Sequence, residues 1–326
     1  MDDLIPLIQR LADGRSRSGT QLARELGISR TAVWKRIQRL ERLGLTIERR
    51  PGHGYRLTPP LDLLDPHRLA QTLSRRSHAL LHDIEIHPSL DSTNERLRRR
   101  TPWPGPLACL AEHQHAGRGR RGRRWISPFG ANLYLSLAWP FPQRPPALES
   151  LGLRSALAVA EALEALGTPT LRLKWPNDLI AHGRKLGGIL IELDGEWGGA
   201  HQVVIGIGLN VHLPPQAARG IDRPWIDLHT LMGEQRPDRT RLAAAILERL
   251  LTLLEQMQHG IDDDWQRRWH SRDTHLGQPV RLLSERGEIH GVHRGIAPDG
   301  ALLVEHHGIC RPYYSGEISL RTPKAP

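Results

Sequence analysis

Nine consecutive residues, Gly117-Arg118-Gly119-Arg120-Arg121-Gly122-Arg123-Arg124-Trp125, hold five arginines and three glycines. Glycine lets a backbone approach an anion and aim N–H groups at it. Guanidinium forks bind phosphate oxygens or offset charge that builds on a transferring phosphoryl group. Gly117, Gly119 and Gly122 also fit the dinucleotide fingerprint GxGxxG, but that loop must open a helix and be followed by an acidic residue about 20 positions on. This one runs instead through Trp125 and Ser127-Pro128 into an apolar, strand-like stretch, so the dinucleotide reading is rejected. No GxxxxGK[ST] occurs, so any ATP is held by another kind of loop. A plain basic surface loop is the competing reading, and anchoring between extended segments beside a tryptophan weighs against it.

Three more polar clusters stand where apolar runs end. Asp91-Ser92-Thr93-Asn94 can cap a helix beginning at Glu95, or offer donors and acceptors to a polar ligand head. Lys174-Trp175-Pro176-Asn177-Asp178 follows one strand and Lys185-Leu186-Gly187-Gly188 begins the next. A lysine ahead of two glycines reads as a solvated hairpin lysine or as a cation directed at developing negative charge, with the glycines leaving room for ligand. Gly206-Ile207-Gly208-Leu209-Asn210 repeats the pattern of a strand opened by glycine. His113 and His115 flank Gln114, but further ligands for a stable metal site are lacking nearby, so they read as pocket-rim or surface residues and no protein-built metal site is expected. His306-His307 reads as a solvated hairpin.

These clusters need a scaffold. Residues 84–87, 107–111, 132–139, 170–174, 185–193 and 202–211 carry strand patterns, while 148–166 and 240–259 carry long helical stripes, which predicts an α/β (α+β) core. Residues 274–321 are short extended runs around turns such as Pro298-Asp299-Gly300, predicting a small all-β domain. Residues 214–237 show no motif.

The N-terminal segment reads differently. Leu4, Leu7, Ile8 and Leu11 are helically spaced, residues 21–26 form a second short helix, Gly27 permits a left-handed turn, and Ser29 can cap a third helix with the stripe Val33, Ile37 and Leu40. Residues 45–49 and 55–57, broken by Pro51-Gly52-His53-Gly54, predict a hairpin. This is a winged helix-turn-helix pattern. The third helix turns Arg30, Thr31, Lys35 and Gln38 outward, with Trp34 and Arg39 at the margins. Arg and Gln can bond base edges, while Lys, Thr and the wing's Arg49, Arg50 and Arg56 can hold phosphates. A helical bundle with an ordinary wet face, or a module that binds protein, is the alternative.

Bulk properties agree. The 326 residues suit two or three domains. The net charge is +10, and residues 1–60 hold 12 Lys/Arg against 6 Asp/Glu, which suits an anionic partner or, equally, an arginine-rich solvated surface. The two cysteines, Cys109 and Cys310, form no CxxC pair, which fits a reducing cytoplasm. The acidic start lacks a signal-peptide pattern, and no apolar run approaches the roughly 20 residues that span a bilayer, so no membrane role is expected.

Taken in order, Ser92-Thr93-Asn94, residues 112–114, GRGRRGR with Trp125, KWPND at 174–178, KLGGILIE at 185–192, GIGLN at 206–210 and GEISLR at 316–321 resemble the successive motifs of biotin protein ligases. The N-terminal unit resembles that of the family's bifunctional ligase-repressors, so nearly the whole chain is covered. The resemblance implies a winged helix-turn-helix over 1–63, a mixed-sheet, biotin/lipoate-ligase-like catalytic domain over 64–273 and a small SH3-like β-barrel over 274–326. It implies ATP-dependent formation of biotinoyl-5′-AMP and transfer of biotin to a lysine of biotin carboxyl carrier protein. It also implies biotin-responsive repression of biotin-synthesis genes.

By matching positions, Lys185, Arg118 and Arg120 are implied as catalytic. Ser92, Thr93, Asn94, Gln114, Gly117, Arg118, Gly119, Arg120, Lys185, Gly187 and Gly188 are implied to bind biotin. Arg118, Arg120, Arg121, Trp125, Asn177, Asn210 and Arg321 are implied to bind ATP, whose Mg²⁺ would be held largely by phosphates with Asp178 nearby. Biotin is then substrate and corepressor precursor; operator DNA and a homodimer loaded with biotinoyl-AMP complete the partners. A ligand-sensing transcription factor without ligase activity would not need Arg118, Arg120 and Lys185 together. A lipoate-type ligase would share the chemistry with a longer, narrower pocket, and GRGRRGR with KWPND favours biotin.

Overall fold

The computed structural model describes residues 2–100, 102–146, 148–195, 201–261, 264–284, 287–314 and 319–321. The first helices are α1 (Ile5–Leu11), α2 (Gly19–Leu26) and α3 (Arg30–Arg42), followed by the hairpin β1 (Ile47–Arg50) and β2 (Gly54–Leu57). Ser18 Oγ accepts from Gln21 N at 3.0 Å, and Ser29 Oγ from Ala32 N at 3.1 Å. Each hydroxyl satisfies a helix-start donor that would otherwise lack a partner. Because Ser18 is the cap, α2 begins two residues before the 21–26 pattern. Gly27, at φ +63°, supplies the left-handed turn between α2 and α3. Leu7, Leu11, Leu22, Val33, Ile37 and Leu40 are all buried at 0% exposure in this unit's core. Phe129, from the central domain, is buried in the same core.

The chain crosses over at 61–64: Leu61 and Leu63 pack on the N-terminal core, while Leu64 belongs to the next. Two short capped helices follow, α4 (Pro66–Thr72) and α5 (Arg75–Leu80). The central elements are then β3 (Asp83–His87), α6 (Thr93–Arg98), β4 (Leu107–Ala111), β5 (Leu133–Phe141), α7 (Leu151–Ala165), β6 (Arg172–Lys174), β7 (Asp178–Ala181), β8 (Arg184–Gly195) and β9 (His201–Leu209). The helices α8 (Pro215–Ala218), α9 (Leu228–Met232), α10 (Arg239–Gln258) and α11 (Trp265–Arg272) complete the domain. The strands form one seven-stranded sheet in the order β3-β4-β5-β9-β8-β7-β6, antiparallel except for the parallel pair β3 and β4.

Alternation along β9 explains the layering. Ile205, Ile207 and Leu209 join the core beneath α7 and α10, while Gly206 and Gly208 face the other side. Register places Ser136 beside Gly206 and Gly188 beside Gly208, so those residues share the glycine face. Short elements were the ones that periodicity missed. Strand β7 has four residues, and α4, α5 and α11 have seven, six and eight, too few turns or alternations to stand out.

The C-terminal unit is a five-stranded antiparallel sheet of β10 (Pro279–Ser284), β11 (Gly287–Ile296), β12 (Leu302–His306), β13 (Ile309–Tyr313) and β14 (Ser319–Arg321), ordered β13-β12-β11-β10-β14. Hydrogen bonds fasten it to the central domain, among them one buried and one partly buried contact. His293 Nε2 lies 2.6 Å from Asp273 Oδ2, and Trp175 Nε1 donates to Gly300 O at 3.2 Å across the Pro298-Asp299-Gly300 turn. Among the described residues no helix is long and apolar enough to cross a membrane.

Candidate functional site

Helix α6 lies on the glycine face of the sheet and brings a polar network with it. Thr93 N and Oγ1 donate to Gln114 Oε1 at 2.9 and 3.2 Å, and Gln114 Nε2 donates to Ser127 Oγ at 3.2 Å. Asn94 Nδ2 donates to Glu192 Oε2 at 2.7 Å, and Ser136 Oγ lies 2.6 Å from Thr93 Oγ1 and 2.5 Å from Asn94 Oδ1. Ser92 is the N-cap residue, yet its side chain makes no capping bond and α6 starts at Thr93 rather than Glu95. Thr93 and Asn94 thus spend their side chains on the buried network rather than on capping the helix. Ser136 was missed, although a serine inside the apolar run Leu133–Phe141 was a legible signal.

A charged group stands beside this network. Lys185 Nζ is 2.5 Å from Asp178 Oδ1 and 5.5 Å from the centre of the Trp125 ring. Arg120 Nη1 approaches Asn177 Oδ1 at 3.5 Å, while Asn177 Nδ2 holds Ile189 O at 2.5 Å. Burial pushes the Arg120 guanidinium pKa down from its ordinary value, with neighbouring Arg121 acting in the same direction. A half-buried cation beside like charge gains from an incoming anion.

The glycines admit side chains of the protein itself. A Cβ on Gly206 would meet Asn94 Oδ1 at 2.2 Å, and one on Gly208 would meet the Trp125 ring at 2.4 Å. Gly188 makes way for Lys185 Nζ, 3.0 Å from where its Cβ would stand. The sequence predicts that these glycines leave room for ligand; here the space beside them is taken by Asn94, Trp125 and Lys185. A Cβ on Gly117 would meet Ser127 Oγ and Trp125 O at 2.7 and 2.8 Å, and Gly119 N donates to Arg123 O at 2.7 Å, closing the arginine loop on itself. Arg121 occupies the left-handed region at φ +57°, a strained setting for a side-chain-bearing residue.

Arg118 does not join Lys185 here. Its Nη2 bonds Glu95 Oε2 at 2.9 Å and Glu192 Oε1 at 3.2 Å. Asn210 also has local work: its Nδ2 donates to Ile226 O at 3.1 Å and reaches Lys185 O at 3.4 Å. Lys185 N donates to Pro224 O and Ile226 N to Lys185 O, so residues 224–226 pair onto the start of β8. That gives part of the motif-free stretch 214–237 a role, as cover for the backbone of Lys185. Arg321 lies in β14 opposite Arg281, but its side chain and residues 316–318 of GEISLR lie outside the described residues.

His113 Nδ1 bonds Ser89 Oγ at 2.8 Å, and His115 is exposed. Among the described residues the one cluster with metal-ligand geometry is Glu85, His87 and Cys109. It lies on β3 and β4, and Glu85 is already bound by Arg96 and Arg100.

In the N-terminal unit the arginines divide. Arg17 pairs with Asp13, Arg36 and Arg39 with Asp3, Arg10 with Glu25, Arg49 with Glu41 and Arg50 with Glu48. Arg56 Nε donates to Gly14 O at 2.8 Å. Arg30 and Lys35 are exposed and make no ion pair among the described residues; Thr31 is exposed and Gln38 half-buried. The helix cations are thus available, while the wing arginines Arg49, Arg50 and Arg56 start from internal partners.

The chain matches the Biotin/lipoate A/B protein ligase family over residues 86–210, an HTH domain over 5–56 and the Biotin protein ligase C terminal domain over 275–321. It is 43% identical over 327 residues to the bifunctional ligase/repressor BirA of Salmonella typhimurium, covering 98% of this chain and 99% of the relative. It is 42% identical to BirA of Escherichia coli K12, covering 98% of each chain. Among solved structures, it is similar to the biotin protein ligase from Aquifex aeolicus in complex with biotin and ATP, at 30% identity and a TM-score of 0.62. That match covers 74% of this chain and all of the other.

Proposed function

The chain belongs to the biotin protein ligase family, as a bifunctional ligase and repressor with a ligase catalytic domain and a helix-turn-helix DNA-binding domain, and on that premise we propose how its residues divide the work. Biotin and ATP are the substrates. The biotin carboxylate attacks the α-phosphorus of ATP, pyrophosphate leaves and biotinoyl-5′-AMP forms. A lysine amine of biotin carboxyl carrier protein then attacks the acyl carbon, AMP departs and the amine loses a proton.

The observation that carries this reading is the adjacency of two groups on one sheet face. The network of Thr93, Asn94, Gln114 and Ser136 offers matched donors and acceptors to a polar ring, while Lys185 and Arg120 stand beside it as cations. Attack of a carboxylate on a phosphate brings like charges together, so positioning and neutralisation are the main tasks. Lys185 shifts from Asp178 to the reacting oxygens, Arg120 holds the phosphate, and Trp125 offers its ring to adenine. Ser92, Gly117, Gly119, Gly187 and Gly188 shape the biotin pocket, and Arg118 closes over it once it leaves Glu95 and Glu192. Asn177, Asn210, Arg121 and Arg321 belong to the nucleotide side.

Magnesium enters with the nucleotide as Mg-ATP. Asp178 alone, already engaged by Lys185, makes no cage for it. Both cysteines are free, Cys109 buried and Cys310 exposed, in keeping with a cytoplasmic setting. For repression, the adenylate-loaded protein forms a two-fold dimer whose paired α3 helices meet a palindromic operator. Equal sedimentation and operator affinity for apo and adenylate-loaded protein would defeat that coupling.

The test is mass spectrometry of a purified biotin carrier domain after incubation with the protein, ATP, Mg²⁺ and biotin, with Arg120→Gly as control. One biotin added to a single lysine, lost without ATP, is the expected result. Binding of biotin without transfer would leave a sensing repressor, and transfer of lipoate in preference to biotin would make it a lipoate-type ligase.

A further inference from the structure

Helix α3 buries Val33, Ile37 and Leu40 completely, yet Trp34, next to that stripe, is left 45% exposed. The residues four before and four after it are Arg30 and Gln38, so the three form one row along the helix, with Thr31 and Lys35 on the adjoining row. An indole on a wet face is costly to keep there, and exposed aromatics are enriched where partners dock. No aromatic or cation–π contact covers this ring among the described residues, whereas Arg154 stacks on Trp265 and Lys185 stands over Trp125.

The charges around it narrow the choice of partner. Each of Asp3, Asp13, Glu25, Glu41 and Glu48 is paired with an arginine other than Arg30. What surrounds Trp34 is therefore cationic and donor-rich, which suits DNA and disfavours a basic or purely apolar protein surface. In the major groove the apolar feature that distinguishes one base from the rest is the thymine C5-methyl.

We propose that Trp34 reads a thymine methyl in the operator, so that α3 combines base-edge hydrogen bonds from Arg30 and Gln38 with one apolar contact between them. This rests on the repressor reading. The contact supplies sequence preference rather than general affinity, because it engages no phosphate.

The experiment uses the full chain with biotin and ATP. Duplexes are first selected from a randomised library by the wild-type protein. Each thymine of the selected site is then replaced singly by uracil, which removes only the methyl. One replacement per half-site is expected to weaken wild-type binding by roughly four-fold, the worth of one buried methyl. The Trp34→Ala protein is expected to bind thymine and uracil duplexes equally, with an unchanged salt slope, and Trp34→Phe to keep part of the preference. Biotin ligation by each variant reports that the chain is folded. Retention of the thymine preference by Trp34→Ala, or a uniform loss across all duplexes with a shallower salt slope, overturns the proposal. Failure of the wild-type protein to select any duplex overturns the repressor reading and this inference together.

Discussion

Lys185 Nζ rests 2.5 Å from Asp178 Oδ1, with 17% and 18% of the two side chains exposed. The amine is therefore held in one place by a carboxylate. Gly188 gives this pair its space and Trp125 covers it.

Lys185→Ala is expected to fold normally and to lower biotin-dependent pyrophosphate release by about 10²- to 10³-fold, the usual loss when one preorganised charge stabiliser is removed. Asp178→Asn is expected to cost less, since it removes only the holder. Equal losses in stopped assays of pyrophosphate would give Asp178 a direct part in the step.

Gly206→Ala tests the polar pocket without touching a hydrogen-bonding side chain. The added methyl would overlap Asn94, which contacts Ser136 and Glu192. Biotin affinity by calorimetry is expected to fall by about ten-fold, in line with the loss of one well-placed hydrogen bond. Unchanged affinity would remove Asn94 from the biotin site.

Arg239 and Glu112 form a buried pair at 2.5 Å, with side chains 1% and 8% exposed. Glu112 also accepts Leu64 N, and Arg239 Nη1 donates to Asp62 O, so the pair holds the interdomain crossing. Arg239→Met is expected to destabilise the protein by about 3–5 kcal/mol because it leaves a carboxylate buried without its partner. Restoring Tm by the double change Arg239→Met, Glu112→Leu would confirm that cause.

His275 titrates at about 4 in the folded protein, burial being the main cause and Lys174 a second. Its ordinary value is 6.5, so between these pH values the unfolded chain binds the proton more readily. Stability is expected to fall as pH drops from 6.5 towards 4, with no further loss from this group below that. His275→Gln should flatten that part of a Tm-against-pH curve. A parallel curve would assign the acid sensitivity elsewhere.

At the DNA end, Lys35→Ala is expected to reduce the slope of log affinity against log salt by about one, as for loss of one phosphate contact. Arg56→Ala should leave the slope alone and lower Tm, because its guanidinium binds Gly14 O. The reverse pattern would put the wing, not α3, on the phosphates.

Residue type and order made the glycine-arginine loop, the strand lysine and the winged helix legible. The stripe Val33, Ile37 and Leu40 was enough to orient α3, and the long strands fell within a few residues of their patterns. Direction was not legible. Nothing in GRGRRGR tells that Arg118 turns to Glu95 and Glu192 while Arg120 turns to Asn177, because those partners lie 23, 74 and 57 positions away along the chain. The wing arginines looked free because their partners are not marked in the sequence: Arg56 is held by the backbone oxygen of Gly14, 42 positions away, Arg49 by Glu41 eight positions back, and Arg50 by Glu48 two residues before it. The segment 224–226 had no motif because its pairing to β8 uses backbone atoms, which every residue possesses.

Phe129 belongs by sequence to the loop that follows Trp125, and by packing to the core of the DNA-binding unit. The two domains therefore do not part cleanly at the 61–64 crossing between them. Cutting the chain after residue 63 would bare an aromatic ring and loosen the same loop that carries Ser127 and the glycine-arginine turn. A chain without residues 1–63 would need a polar side chain at position 129 to avoid leaving that ring in water.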